Sequence, residues 1–172
     1  MEYFSIIKDA DIFENPTPAP KEYSTRPTAK GIIIDNEGNI AVLSNGEHSL
    51  FPGGGVDPGE TFEQAMVREC MEEIGCHVEV ISSLGAALQY RAQTAKIYEV
   101  QFFVANVIGE KGFPTTTQAG ELTCTLSWLS EDAVLKLLEE QLNNIPVHDY
   151  PANFNCRTHL FAFKKYVEDQ KN

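Results

Sequence analysis

Glu69, Glu72 and Glu73 stand at positions i, i+3 and i+4 of the stretch "RECMEEIG". At about 100° per residue, helical winding brings the three carboxylates onto one side, within an arc of roughly 100°. Like charges so placed repel each other, at a cost of a few tenths of a kcal/mol per pair, and a bound divalent cation would reverse that cost. Hard oxygen donors on one rigid face suit magnesium or manganese, which keep several waters and take substrate phosphates as further ligands. The plainer alternative is a solvated acidic face.

A second stretch lies just upstream. "GGVDPGET", Gly54 to Thr61, nearly spells a phosphate-binding loop of the Walker A type, but the lysine slot holds Glu60. An acid there would repel the phosphates that such a loop cradles, so any phosphate chemistry at this site needs a cation as escort.

The elements that would position these residues follow from periodicity. "AKGIIID" and "NIAVLS" are short, β-branched and joined through "DNEGN", a turn-forming sequence, which predicts a strand pair. From Thr61 the apolar period changes to four: Phe62, Met66, Cys70 and Ile74 mark an amphipathic helix. Thr61 and Gln64 form its capping box, and Gly75 stands where a left-handed residue ends it. Strands are expected again at "HVEVISSL", "AALQY", "IYEVQFFVANVI" and "LTCTLSWL". Ser130 caps a helix to about Gln141, and Cys156, Leu160, Phe163 and Val167 mark a last one. Strands outnumber helices without regular alternation, which favours a mixed sheet flanked by helices, an α+β arrangement.

At 172 residues and 42% hydrophobic, the chain suits one domain. Residues 1–27, with the proline-rich "ENPTPAPKEYSTRP", read as an irregular N-terminal arm. Residues 28–172, including the C-terminal helix, read as a single domain. Thirteen Lys+Arg against 25 Asp+Glu give a net charge of −12, which predicts no nucleic-acid partner and no anionic membrane surface. The start "MEYFSIIKDADIF" has neither a basic leader nor a signal-peptide core, and no apolar run reaches membrane length, so the expected location is cytoplasmic. Cys70, Cys76, Cys124 and Cys156 read as reduced thiols, and His48, His77, His148 and His159 show no metal-binding spacing.

The stretch Gly54 to Cys76, "GGVDPGETFEQAMVRECMEEIGC", resembles the sequence box of the Nudix hydrolase family, with Gly54, Glu60, Arg68, Glu69, Glu72, Glu73 and Gly75 in place. If each position matched at roughly glycine's background frequency of 7%, seven matches would arise by chance on the order of 10⁻⁸ per starting point. Cys70 and Cys76 fill slots where aliphatic residues are usual. The resemblance implies a Nudix-like α/β/α sandwich, a mixed sheet between helices. It also implies hydrolysis of a nucleoside diphosphate derivative or nucleoside triphosphate, with Mg2+ or Mn2+ and a small-molecule nucleotide as substrate. A catalytically silent domain that senses a nucleotide is the alternative, against which the glutamate set is complete. The oligomeric state is left open, a homodimer being one option.

Carried over residue by residue, the resemblance makes Glu69 and Glu73 the principal metal ligands and Glu72 a further or water-borne one, with the Gly53 carbonyl adding a ligand. Gly53, Gly54 and Gly55 would lie against substrate. Arg68 would pair with Glu72, or be a plain surface arginine. The general base is either a glutamate of the box or a later acid, for which Glu121 is the candidate, an exposed loop acid being its other reading. Phe51 and Tyr90 could stack on a base or belong to the core. Family subtypes for ADP-ribose often carry a proline some way after the box, at a place where this chain has Arg91.

Overall fold

The structure is a computed structural model that describes residues 3–116 and 123–171. Its centre is a seven-stranded sheet built from β1 (Tyr3–Lys8), β2 (Ser24–Ile34), β3 (Ile40–Ser44), β4 (Ser49–Leu50), β5 (His77–Arg91), β6 (Lys96–Ile108) and β7 (Thr125–Leu129). The order is β1-β5-β6-β2-β3-β4, with β7 also pairing β3. β2 runs parallel to β6, β1 parallel to β5, and β5 antiparallel to β6, so the sheet is mixed as expected.

Helices cover both faces. α1 (Phe62–Ile74) packs on one side, where its Ala65, Met66, Cys70 and Ile74 meet Ala29 and Ile33 of β2 and Phe103 and Ala105 of β6. α2 (Glu131–Asn144) and α3 (Tyr150–Asp169) cover the other. There Val134, Leu138, Leu160 and Phe163 meet Ile32 of β2 and Phe102 and Val104 of β6. A strand buried on both faces cannot alternate apolar with polar residues, which is why "GIII" and "FFVA" are continuous apolar runs.

Four local expectations need correction. Residues 3–8 of the arm are not irregular: "YFSIIK" pairs with Ala86 to Tyr90, with one shift of register between Tyr3 and Ser5, and residues 24–27 already belong to β2. The proline-rich composition masked a six-residue strand on one side of it and the start of an eleven-residue strand on the other. The segments "HVEVISSL" and "AALQY" are one strand, β5, because register shifts near Ser82 and Gly85 absorb the polar break between them. α3 begins six residues before Cys156, at Tyr150. Pro151 fits the first helical turn, where no amide donor is required, and the Asp149 side chain caps it by accepting from the Ala152 amide at 3.2 Å. α2 runs on past Gln141 to Asn144.

The DNEGN hairpin forms, and a buried carboxylate holds it. Asp35 accepts from the amides of Glu37 and Asn39 at 2.9 and 2.8 Å and from Lys111 Nζ at 2.6 Å. No helix of the described residues is long and apolar enough to cross a membrane.

Candidate active site

α1 is fixed at both ends by the residues expected to do it. The Thr61 side chain accepts from the Gln64 amide at 3.2 Å and Gln64 returns a bond to the Thr61 amide at 2.9 Å. At the other end Gly75 takes φ +66°. A Cβ at Gly75 would lie 2.4 Å from the carbonyl carbon of Phe113, because the segment after β6 crosses here. That segment donates the amide of Gly112 to the Gly75 carbonyl (2.9 Å) and those of Thr115 and Thr116 to the Glu72 carbonyl (2.8 and 2.9 Å). With its apolar face against the sheet, α1 turns Arg68, Glu69, Glu72 and Glu73 toward the loop that precedes it.

The loop lies along β2. Gly31 donates to the Pro52 carbonyl (3.0 Å), Ala29 to the Gly54 carbonyl (2.9 Å) and Val56 to the Pro27 carbonyl (3.2 Å), so residues 52–56 pair with β2 as an extra edge. Gly53, at φ +127°, would place a Cβ 2.1 Å from the Ala29 carbonyl oxygen. Its amide donates to Glu73 Oε2 at 2.6 Å, and its carbonyl accepts from the ammonium of Lys30. Gly54 is required for another reason: a Cβ there would meet Glu69 Oε1 at 2.4 Å. The two glycines thus bring main chain into direct contact with the carboxylate helix.

Arg68 behaves differently from its expected pairing. Its main partner is Glu60, which it grips through Nε (2.8 Å) and Nη2 (3.1 Å); Nη1 reaches Glu69 at 2.9 Å and Glu72 only at 3.5 Å. Nη2 also donates to the Gly55 carbonyl at 3.0 Å. The guanidinium fork suits the planar Glu60 carboxylate, which the turn Asp57–Glu60 holds ready by an Asp57 amide bond of 3.0 Å. These bonds lower the Glu60 pKa and raise that of Arg68. Glu69, only 4% exposed, moves the other way, because burial raises its pKa more than Arg68 restrains it.

Phe51 does not face a substrate. It is buried at 1% exposure, its ring stacked on His159 at 5.4 Å and tilted against Phe163, and its amide donates to His159 Nδ1 at 3.0 Å. The apolar face of α3 claims the ring, and Phe51 instead sets the orientation of a histidine to which the sequence assigned no role. Tyr90 packs edge-on against Tyr23, away from the carboxylates. Glu121 lies outside the described residues.

A cavity of about 270 Å³ opens beside Gly54 and Gly55, floored by β2, β5 and β6 and walled by α3. Lys30, Arg26, Gln89, Arg91, Tyr98 and His159 line it. Of these, sequence reasoning named only Arg91 and His159, and gave neither a role. The signal in β2, alternating Arg26, Thr28 and Lys30, becomes legible only when β5 and β6 are known to lie alongside. Burial and the nearby Lys30 keep His159 well below the ordinary imidazole pKa. With Nδ1 accepting from Phe51, it is neutral and carries its proton on Nε2.

A separate cluster also corrects the reading of the histidines. Ligand atoms of Glu47, His48 and Asp149 lie within 4.8 Å of one another, an arrangement able to hold a metal ion, although their sequence spacing concealed it. His48 Nε2 and Asp149 Oδ2 are 2.8 Å apart.

Comparison with known proteins places the chain. Over 67 residues it is 48% identical to an RNA pyrophosphohydrolase of Shewanella loihica, a match spanning 36% of this chain and 38% of that protein, and 45% identical to the one of Shewanella piezotolerans. The chain thus spans about two-fifths of the length of these curated relatives. Among solved structures, the MutT protein of Methanosarcina mazei Go1 superposes with a TM-score of 0.58 at 17% identity, covering 90% of this chain and 100% of that one. A NUDIX hydrolase of Nitrosomonas europaea gives 0.60 at 18%, covering 85% and 90%. Both share the mixed sheet between helices. The RNA pyrophosphohydrolases overturn the expectation that charge excludes nucleic acid. Net charge argues against a surface that tracks a phosphate backbone, but not against a cation-bearing site that takes only the end of a strand. The model of the NUDIX domain matches residues 24–168, and the chain belongs to the NUDIX family.

Proposed function

We propose that the protein hydrolyses the diphosphate linkage of a nucleotide, with Mg2+ or Mn2+ held by Glu69, Glu72 and Glu73 of α1 and the carbonyl of Gly53. The observation that carries this reading is the contact of the carboxylate helix with the main chain of the loop before it, where the Gly53 amide holds Glu73 and the Gly53 carbonyl already meets a cation, the Lys30 ammonium. The donors are all hard oxygens, and the absence of a Cβ at Gly54 leaves room against Glu69.

A divalent ion bound there would offset the charge of the diphosphate and lower the pKa of a coordinated water. The chain's own residues do the rest. Glu60 and Arg68 fix the Glu69 carboxylate from one side, and the Gly53 amide fixes Glu73 from the other. Lys30 supplies a positive charge at the Gly53 carbonyl, between the carboxylates and the adjoining cavity. The general base is proposed to be a glutamate of the same helix or a later acid of the chain. The cavity beside Gly54 and Gly55 would receive the rest of the nucleotide.

The relatives' name makes an RNA end that carries a diphosphate linkage the first substrate to test, beside nucleoside triphosphates and nucleotide sugars. A phosphate- and pyrophosphate-release screen over that panel, with and without magnesium, decides the reading. Metal-dependent release is expected. Release from none of them, together with a melting temperature indifferent to magnesium, would end it.

A further inference from the structure

Arg91 is a buried cation without an anion. It is 5% exposed, and its guanidinium is held by neutral groups: it donates from Nε to Gln89 Oε1 at 3.0 Å and from Nη2 to Asn155 Oδ1 at 2.5 Å, and lies over the Tyr98 and Phe154 rings at 4.0 and 5.3 Å. Among the described residues neither Arg91 nor Arg26 forms an ion pair, although the chain has 25 acids to draw on. A buried charge is costly unless an opposite charge meets it, so the fold keeps Arg91 at a cost that a ligand can reverse. Burial lowers its pKa, and the neighbouring Arg26 acts in the same direction. Gln89 is itself fixed, donating to Thr158 Oγ1 at 2.7 Å, so the guanidinium is held in place from behind.

Strand register supplies a length. Arg26, Thr28 and Lys30 line the cavity from alternate positions of β2, which sets Arg26 about 13 Å along the strand from Lys30. Lys30 touches the Gly53 carbonyl at the carboxylate helix, while Arg26 pairs across the sheet with Tyr98, the ring beneath Arg91. Positive charge is therefore present at two separated places in one cavity.

We propose that Arg91 and Arg26 form an anion subsite for a second phosphate, carried by the substrate on the far side of its nucleoside from the diphosphate that is cleaved. The proposal rests on the reading of α1 as the diphosphate end. A nucleotide phosphorylated also on its ribose and the first phosphodiester of an oligonucleotide present the same chemistry. Both guanidiniums match phosphate oxygens in geometry, and together they neutralise a dianion.

The test is calorimetric binding, with magnesium present, of adenosine 5′-monophosphate, adenosine 3′,5′-bisphosphate and the 5′-phosphorylated diadenylate. None has a diphosphate bond to cleave. At least one of the latter two should bind about 10-fold or more tighter than the monophosphate. A gain with the bisphosphate alone identifies a terminal phosphate as the ligand, and a gain with the diadenylate alone identifies a strand. Arg91→Gln should remove the gain and leave monophosphate binding in place, while Arg91→Lys keeps part of it. Should Arg91→Gln fail to fold, Arg26→Ala, at an exposed position, should reduce the same gain. Equal binding of all three, or equal weakening of all three by Arg26→Ala, overturns the subsite. Nucleotide hydrolysis is scored in parallel. A retained preference without hydrolysis of any diphosphate would sink the reaction and leave the subsite, and hydrolysis without preference would do the reverse.

Discussion

Arg68 holds Glu60 by two bonds, of 2.8 and 3.1 Å, and with its remaining nitrogen reaches Glu69 at 2.9 Å. An acid of the loop thereby orients an acid of the helix through a shared guanidinium. Both partners are only partly shielded from solvent, so the pair matters more for position than for stability. Glu60→Lys turns "GGVDPGET" into a written Walker A sequence and frees Arg68. We expect kcat/KM to fall about 10- to 100-fold with no gain of ATPase activity, for loss of one charge-assisted contact of about 1–3 kcal/mol. Cleavage of the γ-phosphate by this variant would show that the loop is a damaged phosphate loop.

Glu73→Gln keeps an oxygen for the Gly53 amide, now 2.6 Å from Oε2, but loses the carboxylate charge. The fold should survive, and kcat should drop by about 10² or more, since the lost charge acts on the transition state. Circular dichroism with steady-state kinetics checks both halves. A folded variant with normal turnover would exclude Glu73 as a metal ligand.

Gly54→Ala asks whether the missing Cβ serves the carboxylate. The new methyl would have to displace Glu69 Oε1 from 2.4 Å, a shift on the order of 1 Å, and such a displacement costs about 10² in rate. Denaturant titration should change little compared with activity. Wild-type kinetics in this variant would show that Glu69 need not stand where it does.

His159 makes stability depend on pH in a definable direction. Its folded pKa lies well below 6.5, so the unfolded chain binds the proton first as pH falls. The stabilisation is full above 6.5 and declines below it, by up to about 1.4 kcal/mol per pH unit, until the folded value is reached. His159→Asn preserves an acceptor for the Phe51 amide and cannot titrate. Urea unfolding at intervals between neutral and mildly acid pH should show a shallower slope in the variant, and superimposable slopes would mean that the imidazole charges freely.

What could be read in the sequence was local. The capping box of Thr61 and Gln64, the stop at Gly75 and the shared face of Glu69, Glu72 and Glu73 are all set by residues within a few helical turns, and each stands in the structure as read. Glu60 fell into the family pattern without its purpose being visible, because the choice of Arg68 between Glu60 and Glu72 depends on where a turn folds back. Phe51 stayed between two readings for a related reason: a ring near a strand end looks available for a substrate until α3, a hundred residues later, closes over it and makes it core. The cavity was harder still. Arg26, Arg91 and Tyr98 come from three strands, and nothing short of the sheet order brings them together.

The amides of Thr115 and Thr116 bind the Glu72 carbonyl in the last turn of α1 and that of Gly112 binds the capping Gly75, at the end of the helix where the macrodipole is negative and where Glu72 and Glu73 stand. An acidic pair at that end is unfavourably placed, and a helix end carrying it should fray. The crossing segment prevents this, so the last turn of α1 and the chain after β6 form one cooperative unit. Hydrogen exchange should reveal it: the Thr115 and Thr116 amides, although they lie outside regular secondary structure, would exchange in step with the final turn of α1.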